Sequence, residues 1–352
     1  MAASRAALEA RARIVRAIRD WFEGQGFLEV STPARVRSPG QEVHLDAIPA
    51  GDGHWLVTSP EYHLKRLVAA GMPRIFEVAR CWRADETGPH HRTEFTMLEW
   101  YRADAPLESL ASDCEALVGV AARVAGRDPA ALGLASPFSR TTVRQLFQRH
   151  VGIPLAGDET AEALRAAALK AGVAVGTASA WDDVFYQAFL DRIEPVLARS
   201  GPTFVFDWPA PLGALARPRA DDPRVVERFE LYAGGLELAN AFGELSDPIE
   251  QRRRFEEEAR VRAARGKAVY PLDEALLEAL PRMPPTAGIA LGLEATAAHG
   301  SIARIDLYYH VGRTHYEWRG RMRIVLTSVN CRAPSSKPAQ NFCRYYLRVS
   351  EP

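Results

Sequence analysis

Residues 76 to 101, FEVARCWRADETGPHHRTEFTMLEWY, constrain this chain more than any other stretch. Apolar, β-rich flanks enclose the polar run ADETGPHHRTE, in which Gly88 and Pro89 are turn residues. The pattern predicts an antiparallel strand pair joined by a long polar loop. Arg83 stands where the first strand ends and can set a planar, permanently charged fork against a carboxylate or phosphate. Glu94 and Phe95 open the return strand, where a ring can cover an adenine face and a carboxylate or backbone group can accept from its amino group. Any one of these residues fits a solvated surface hairpin; crowded together they point to a nucleotide site.

A second chemical cluster lies in ERFELYAGGLELANAFGELSD, residues 227 to 247. Strand alternation puts Glu237, Ala239 and Ala241 on one face, with Glu244 following a bend near Gly243. Two such carboxylates can hold Mg²⁺ between ATP phosphates, because Mg²⁺ takes hard oxygen ligands and few from protein. An edge strand with solvated glutamates is the competing reading. Between the clusters, HWLVTSPEYHLKRLVAAG predicts a strand, then Ser59, Pro60 and Glu61 at the start of a helix whose Leu64, Leu67 and Val68 share a face. Ser and Glu there suit capping.

The remaining sequence supplies a frame. The opening stretch has Ile14, Ile18, Trp21 and Phe22 at helical spacing, and acidic Glu9, Asp20 and Glu23 set it apart from a transit peptide. Residues 138 to 200 read as helices with apolar stripes, and strand character returns at Pro202. With 352 residues and 47% hydrophobic content the chain can bury one large core. No run is long enough to span a membrane, and the scattered Cys81, Cys114, Cys331 and Cys343 indicate neither a zinc site nor a disulfide framework, so the cytoplasm is the expected location. Residues 295 to 352 hold nine Arg or Lys against three Asp or Glu, leaving 35 basic against 41 acidic before them. That balance argues against a broad nucleic-acid surface.

The string RADETGPHHRTEFTMLEWY resembles motif 2 of the lysine-type class II aminoacyl-tRNA synthetases, and most closely that of their free-standing relatives, the elongation factor P lysine ligases. ELANAFGEL, PTFVFDWP and MPPTAGIALGLE resemble further family segments, with Ala241 in place of a usual Gly. The resemblance implies an α+β fold: a class II catalytic core with an antiparallel sheet flanked by helices and a helical insertion at 138–200. It implies ATP as substrate and Mg²⁺ as cofactor, with Arg83, Glu237 and Glu244 as catalytic residues and Glu237 and Glu244 as metal ligands. Ser59, Pro60, Glu61, Glu99, Tyr101, Asn240, Glu244 and Ala290 fall at amino-acid-binding positions. Glu61 would receive the α-ammonium, and Glu99 with Tyr101, two apart and so on one strand face, would line the distal end. Arg83, Ala84, Asp85, His91, Glu94, Phe95, Glu237, Leu238 and Gly292 fall at ATP positions; Asp85 is the positional match for a family Glu, with Glu86 beside it.

GFLEVSTPARV resembles motif 1, which implies a homodimer. Only about 30 residues precede its Pro33, so an anticodon-reading domain is not expected. Ala290 replaces the Gly of lysyl-tRNA synthetases, as in the ligases. The implied reaction is therefore activation of (R)-β-lysine, or less well lysine, and transfer to a lysine ε-amine of elongation factor P. After Glu294 the likeness ends: Ala295 stands where the family carries an ATP-clamping Arg. Dropping one base from the codons of Ala-Thr-Ala-Ala-His-Gly permits Arg-Leu-Leu-Leu-Met, so a catalytic domain of residues 1–294, a one-nucleotide insertion directly after Glu294 and a poorly ordered, frameshifted tail of 295–352 are expected. A basic partner-binding extension is the alternative for the tail. A catalytically impaired pseudoenzyme and a stand-alone lysyl-tRNA ligase are the alternatives for function.

Overall fold

The computed structural model describes residues 5–84, 92–177, 180–213 and 215–293. Helix α1 (Arg5–Gly24) carries Ile14, Ile18 and Phe22 on one stripe, and all three are buried. Short strands β1 (Leu28–Glu29), β2 (Arg35–Val36) and β3 (Trp55–Leu56) follow, then helix α2 (Glu61–Ala69) and strands β4 (Arg74–Trp82) and β5 (Glu94–Ala103). Helix α3 (Glu108–Val124) leads to β6 (Ser139–Thr142) and four helices, α4 (Val143–Leu146), α5 (Ala161–Lys170), α6 (Trp181–Ala188) and α7 (Glu194–Leu197). Strands β7 (Thr203–Pro209), β8 (Val225–Ala233) and β9 (Leu236–Gly243), helices α8 (Pro248–Ala264) and α9 (Glu274–Ala279), and strand β10 (Thr286–Gly292) complete the described chain.

Eight strands form one sheet in the order β1-β4-β5-β10-β9-β8-β7-β6, while β2 and β3 pair with each other. Neighbours in the large sheet are antiparallel except at its two ends, where β1 joins β4 and β6 joins β7 in parallel. The expected strand pair is therefore present, with Trp82 opposite Glu94 and Arg74 opposite Arg102. Strand β5 is buried from Thr96 to Tyr101, with the polar Thr96 and Glu99 among the buried residues. Leu98 and Trp100 enter a core with Phe22, Phe76, Leu110 and Cys114 beneath α1 and α3. Trp100 Nε1 donates to Asp113 at 3.0 Å, and Arg102 clamps the same carboxylate at 2.7 and 2.8 Å, which fixes α3 to the strand.

Residues 138–200 are not wholly helical. Ser139–Thr142 extend the sheet beside β7, since Thr141 and Thr142 are β-branched and Thr142 is also the N-cap of α4. Its side chain accepts from Gln145 N at 3.2 Å while Gln145 Oε1 accepts from Thr142 N at 3.1 Å, a reciprocal cap that places the strand-to-helix boundary. The helices that follow bury Phe147, Leu164, Phe185 and Phe189 in a core of their own against Trp208 of the sheet.

One further departure from simple alternation matters for function. The β8–β9 turn uses Gly234 and Gly235, both at positive φ (55° and 83°), as a two-residue hairpin requires. Two residues into β9 the pairing passes from Tyr232 opposite Glu237 to Leu231 opposite Ala239, so Leu238 is an extra, bulged residue. Leu238, Ala239 and Ala241 all lie in the core beneath α1 and α3. Glu237, paired with Tyr232, therefore shares its face with Asn240 and Phe242. The expectation that Glu237, Ala239 and Ala241 share a face is corrected, because the bulge breaks the period of two.

Candidate active site

The face of the sheet turned away from α1 and α3 carries the chemistry. One row across it reads Glu77, Glu99, Ala290, Asn240 and Glu230, and the next reads Ile75, Tyr101, Gly288, Phe242 and Arg228. Between β5 and β9, strand β10 presents only Gly288, Ala290 and Gly292, so the floor is low. A Cβ on Gly288 would come within 2.2 Å of Glu244 Oε1 and 2.3 Å of the Tyr101 ring. Only glycine fits there.

Glu99 is buried among hydroxyls: Tyr101 Oη donates to its Oε1 at 2.6 Å and Ser59 Oγ to its Oε2 at 2.7 Å. Ser59 Oγ also accepts from Glu61 N at 3.2 Å, so Ser59 ties the start of α2 to β5. One turn into α2, Lys65 is 1% exposed, and its ammonium lies 2.5 Å from Glu61 Oε1 and 2.6 Å from Glu244 Oε2. The expected residues Ser59, Glu61, Glu99, Tyr101 and Glu244 thus form one acidic pocket around a lysine that sequence reasoning missed. Its only signals were its rarity, as one of four lysines, and its position four residues after Glu61.

Burial dominates the electrostatics. It pushes Glu99 up to about 8, aided by the charge of Glu61, against the lowering effect of the Tyr101 and Ser59 hydroxyls. Burial likewise raises Glu244 to about 8, against the pull of Lys65, whose own ammonium the two glutamates hold above its ordinary range. The close Lys65–Glu244 contact is a charged pair, held against burial and the nearby charge of Glu61.

Arg83 follows β4 and lies over the ring of Phe95 at 5.1 Å. Its charge reaches Glu237 on β9 and Glu42 in the loop before β3. Glu237 is exposed to solvent, and the surrounding protein together with Glu230 pushes its carboxyl upward against Arg228 and Arg83. Asn240 Oδ1 accepts from Arg228 Nε at 3.2 Å, which leaves its amide N–H groups for a ligand. Arg228 is itself set by Leu212 O at 2.6 Å and Glu230 at 2.5 Å. The loop bearing Glu42 has no regular structure, yet the fully buried Arg262 of α8 donates to Glu42 O and Leu45 O at 2.8 Å and pairs with Asp46 at 2.7 Å. Ala84 N donates to Asp46 O at 2.6 Å, joining this loop to the end of β4.

Two expected residues stand apart from the pocket. Glu94 pairs with exposed Arg80 at 2.7 Å on the surface. The Leu238 side chain is in the core and offers no side-chain contact to a nucleotide. Pro60 precedes α2 as its N-cap. Asp85, Glu86 and His91 lie outside the described residues, as do Ala295 and the tail of 295–352.

A Mg²⁺ ion shared by Glu237 and Glu244 does not fit. Glu244 is 1% exposed with an ammonium 2.6 Å away, and the charged groups facing it include Lys65, Glu61, Glu99 and Arg217, whereas those facing Glu237 include Glu230, Arg228, Arg83 and Glu194. The described residues contain no cluster of three metal-ligating side chains. Glu237 alone, accessible and near Arg83, fits an ion carried in on phosphates, since Mg²⁺ keeps most of its waters and takes one or two carboxylates.

Residues 2–299 match the family described as tRNA synthetases class II (D, K and N). The chain belongs to that family. It is also 38% identical over 295 residues to the elongation factor P (R)-β-lysine ligase of Enterobacter sp. (strain 638), covering 81% of this chain and 87% of the relative. The ligases of the same name from Salmonella dublin and Salmonella paratyphi B are 39% identical over the same shares. The eight-stranded, mainly antiparallel sheet is thus the class II synthetase sheet, and the chain is an ATP-dependent amino-acid ligase of synthetase type. Among the described residues no helix is long and apolar enough to cross a membrane.

Proposed function

We propose that this synthetase-like ligase activates (R)-β-lysine, or lysine, as an aminoacyl adenylate and transfers it to a lysine ε-amine of elongation factor P, acting as a cytoplasmic homodimer. The observation that carries the reading is the convergence of Glu61, Glu99 and Glu244 on one pocket beside a floor of Gly288 and Ala290. A pocket with several buried carboxylates suits a substrate bearing two ammonium groups, because a buried charge left unpaired is costly. The printed names of the relatives supply elongation factor P and the β-amino acid.

In this reading Arg83 neutralises the substrate carboxylate and the α-phosphate, Phe95 packs against the base, and Asn240 donates to the substrate carboxylate. The carboxylate oxygen attacks the α-phosphorus in line, the bond to the β-phosphate oxygen breaks, and pyrophosphate leaves. Little acid or base chemistry is needed; positioning and charge neutralisation lower the barrier. Mg²⁺, when bound with the phosphates near Glu237, supplies charge neutralisation at the leaving pyrophosphate. The acceptor amine then attacks the adenylate carbonyl and AMP departs.

Incubation with ATP, (R)-β-lysine and elongation factor P should raise the mass of that factor by one lysyl unit. An unmodified factor together with charging of a lysine tRNA would instead establish the stand-alone tRNA ligase. Ala295, which replaces the family's ATP-clamping Arg, favours a second reading, an impaired enzyme that binds its ligands without turnover. Loss of such a charge-assisted fork costs on the order of 10²- to 10³-fold in rate.

A further inference from the structure

The acidic pocket contains one more charged group than substrate recognition has used. Lys65 is as buried as Glu244, both at 1% exposure, and its ammonium touches one oxygen each of Glu61 and Glu244. Among the described residues both Glu244 oxygens are buried without a hydrogen-bond partner of good geometry; Oε2 has the Lys65 ion pair, and Oε1 lies over Gly288 where a Cβ would collide with it. Of the other nearby charges, Arg217, which faces Glu244, pairs with Glu227 at 2.6 Å, while Glu42 faces both Glu61 and Arg83 and keeps a buried Oε2 without a hydrogen-bond partner.

We propose that Lys65 is the positioning residue of this pocket: by holding Glu61 Oε1 and Glu244 Oε2 it turns Glu244 Oε1 over Gly288 to accept a substrate ammonium. Lys65 offsets one of the three carboxylates Glu61, Glu99 and Glu244, so once a bound cationic ligand holds all three ionised, two negative charges of this trio remain for that ligand. Two is the number of ammonium groups on lysine or β-lysine. An amino acid with one ammonium would leave a buried carboxylate uncompensated, and so the built-in lysine sets selection for diamino acids. No substrate atom need touch Lys65. The inference rests on the pocket being the amino-acid site of the proposed ligase.

Calorimetric titration with lysine and with norleucine, which lacks the distal ammonium, tests the inference without requiring turnover. Wild-type protein should prefer lysine, and a folded Lys65→Met variant should lose roughly 30-fold or more in lysine affinity while norleucine changes far less. In Lys65→Ala, ethylammonium ions should restore part of the lysine affinity. If the single variants fail to fold, Lys65→Met/Glu244→Gln removes both members of the pair and should bind lysine no better than norleucine. A folded variant that keeps the wild-type preference, or that weakens both ligands equally, overturns the role of Lys65. Wild-type binding of lysine without ATP–pyrophosphate exchange would fail the ligase reading while leaving Lys65 judged by these titrations; a wild type with no lysine preference sinks both.

Discussion

Glu99 shows how a single residue can make recognition expensive for the empty protein and favourable for the bound one. Burial raises its carboxyl from 4.5 to about 8, so the folded protein binds more protons than the unfolded chain between those values. Stability from this group is fully present below about pH 4.5 and is lost as pH rises through about 8. Glu42, raised by burial to about 7, acts in the same direction. The ligand-free melting temperature should therefore fall between about pH 5 and 8, and Glu99→Gln should flatten that fall; a profile unchanged by the substitution would contradict the assignment. The same variant should raise KM for lysine roughly 100-fold, the cost of losing one partner of a buried charged contact. Gly288→Ala should be harmful for a different reason. Its methyl group would displace Glu244 or the Tyr101 ring, at a cost of about 1–3 kcal/mol in urea unfolding together with weaker amino-acid binding. Glu99 and Tyr101 were named through the family resemblance, and a strand's period of two puts them side by side. Lys65 was not named, since on a helix whose Leu64, Leu67 and Val68 are apolar nothing local distinguishes a buried lysine from a solvated one.

At the scale of elements, the β4–β5 hairpin could be read from patterning alone, whereas the β8–β9 hairpin could be read only in outline. Its turn, Gly234–Gly235, is local chemistry, but the bulge at Leu238 depends on what packs beneath the strand. Alternation without a bulge would set Glu237 and Asn240 on opposite faces; the extra residue brings both to the active face and buries Leu238 in the core. Leu238→Ala should therefore lower unfolding free energy by about 2–4 kcal/mol, as a large-to-small core change does, with little change in KM for ATP. A raised KM at unchanged stability would return Leu238 to the nucleotide site. The 138–200 stretch illustrates a similar limit: its apolar stripes indicated helices, but β6 is a strand because β7 offers a free edge, which no local window reveals.

Across the whole molecule, the pocket is assembled from segments far apart in sequence, α2, β5, β9 and β10, and the order β5-β10-β9 that unites them is set by long-range pairing. The sequence reading named the residues through family resemblance, while their common face, the Lys65 bridge and the separation of Glu237 from Glu244 emerge only in three dimensions. That separation alters the expected metal site, leaving Glu237 as the carboxylate available to phosphate-bound Mg²⁺. The central claim is that this pocket activates a diamino acid with ATP. Pyrophosphate exchange dependent on (R)-β-lysine, measured on the purified full chain, tests it most directly. Exchange well above background with (R)-β-lysine, weaker with lysine and lost in Glu99→Gln, is the predicted result; no exchange with either diamino acid would contradict it.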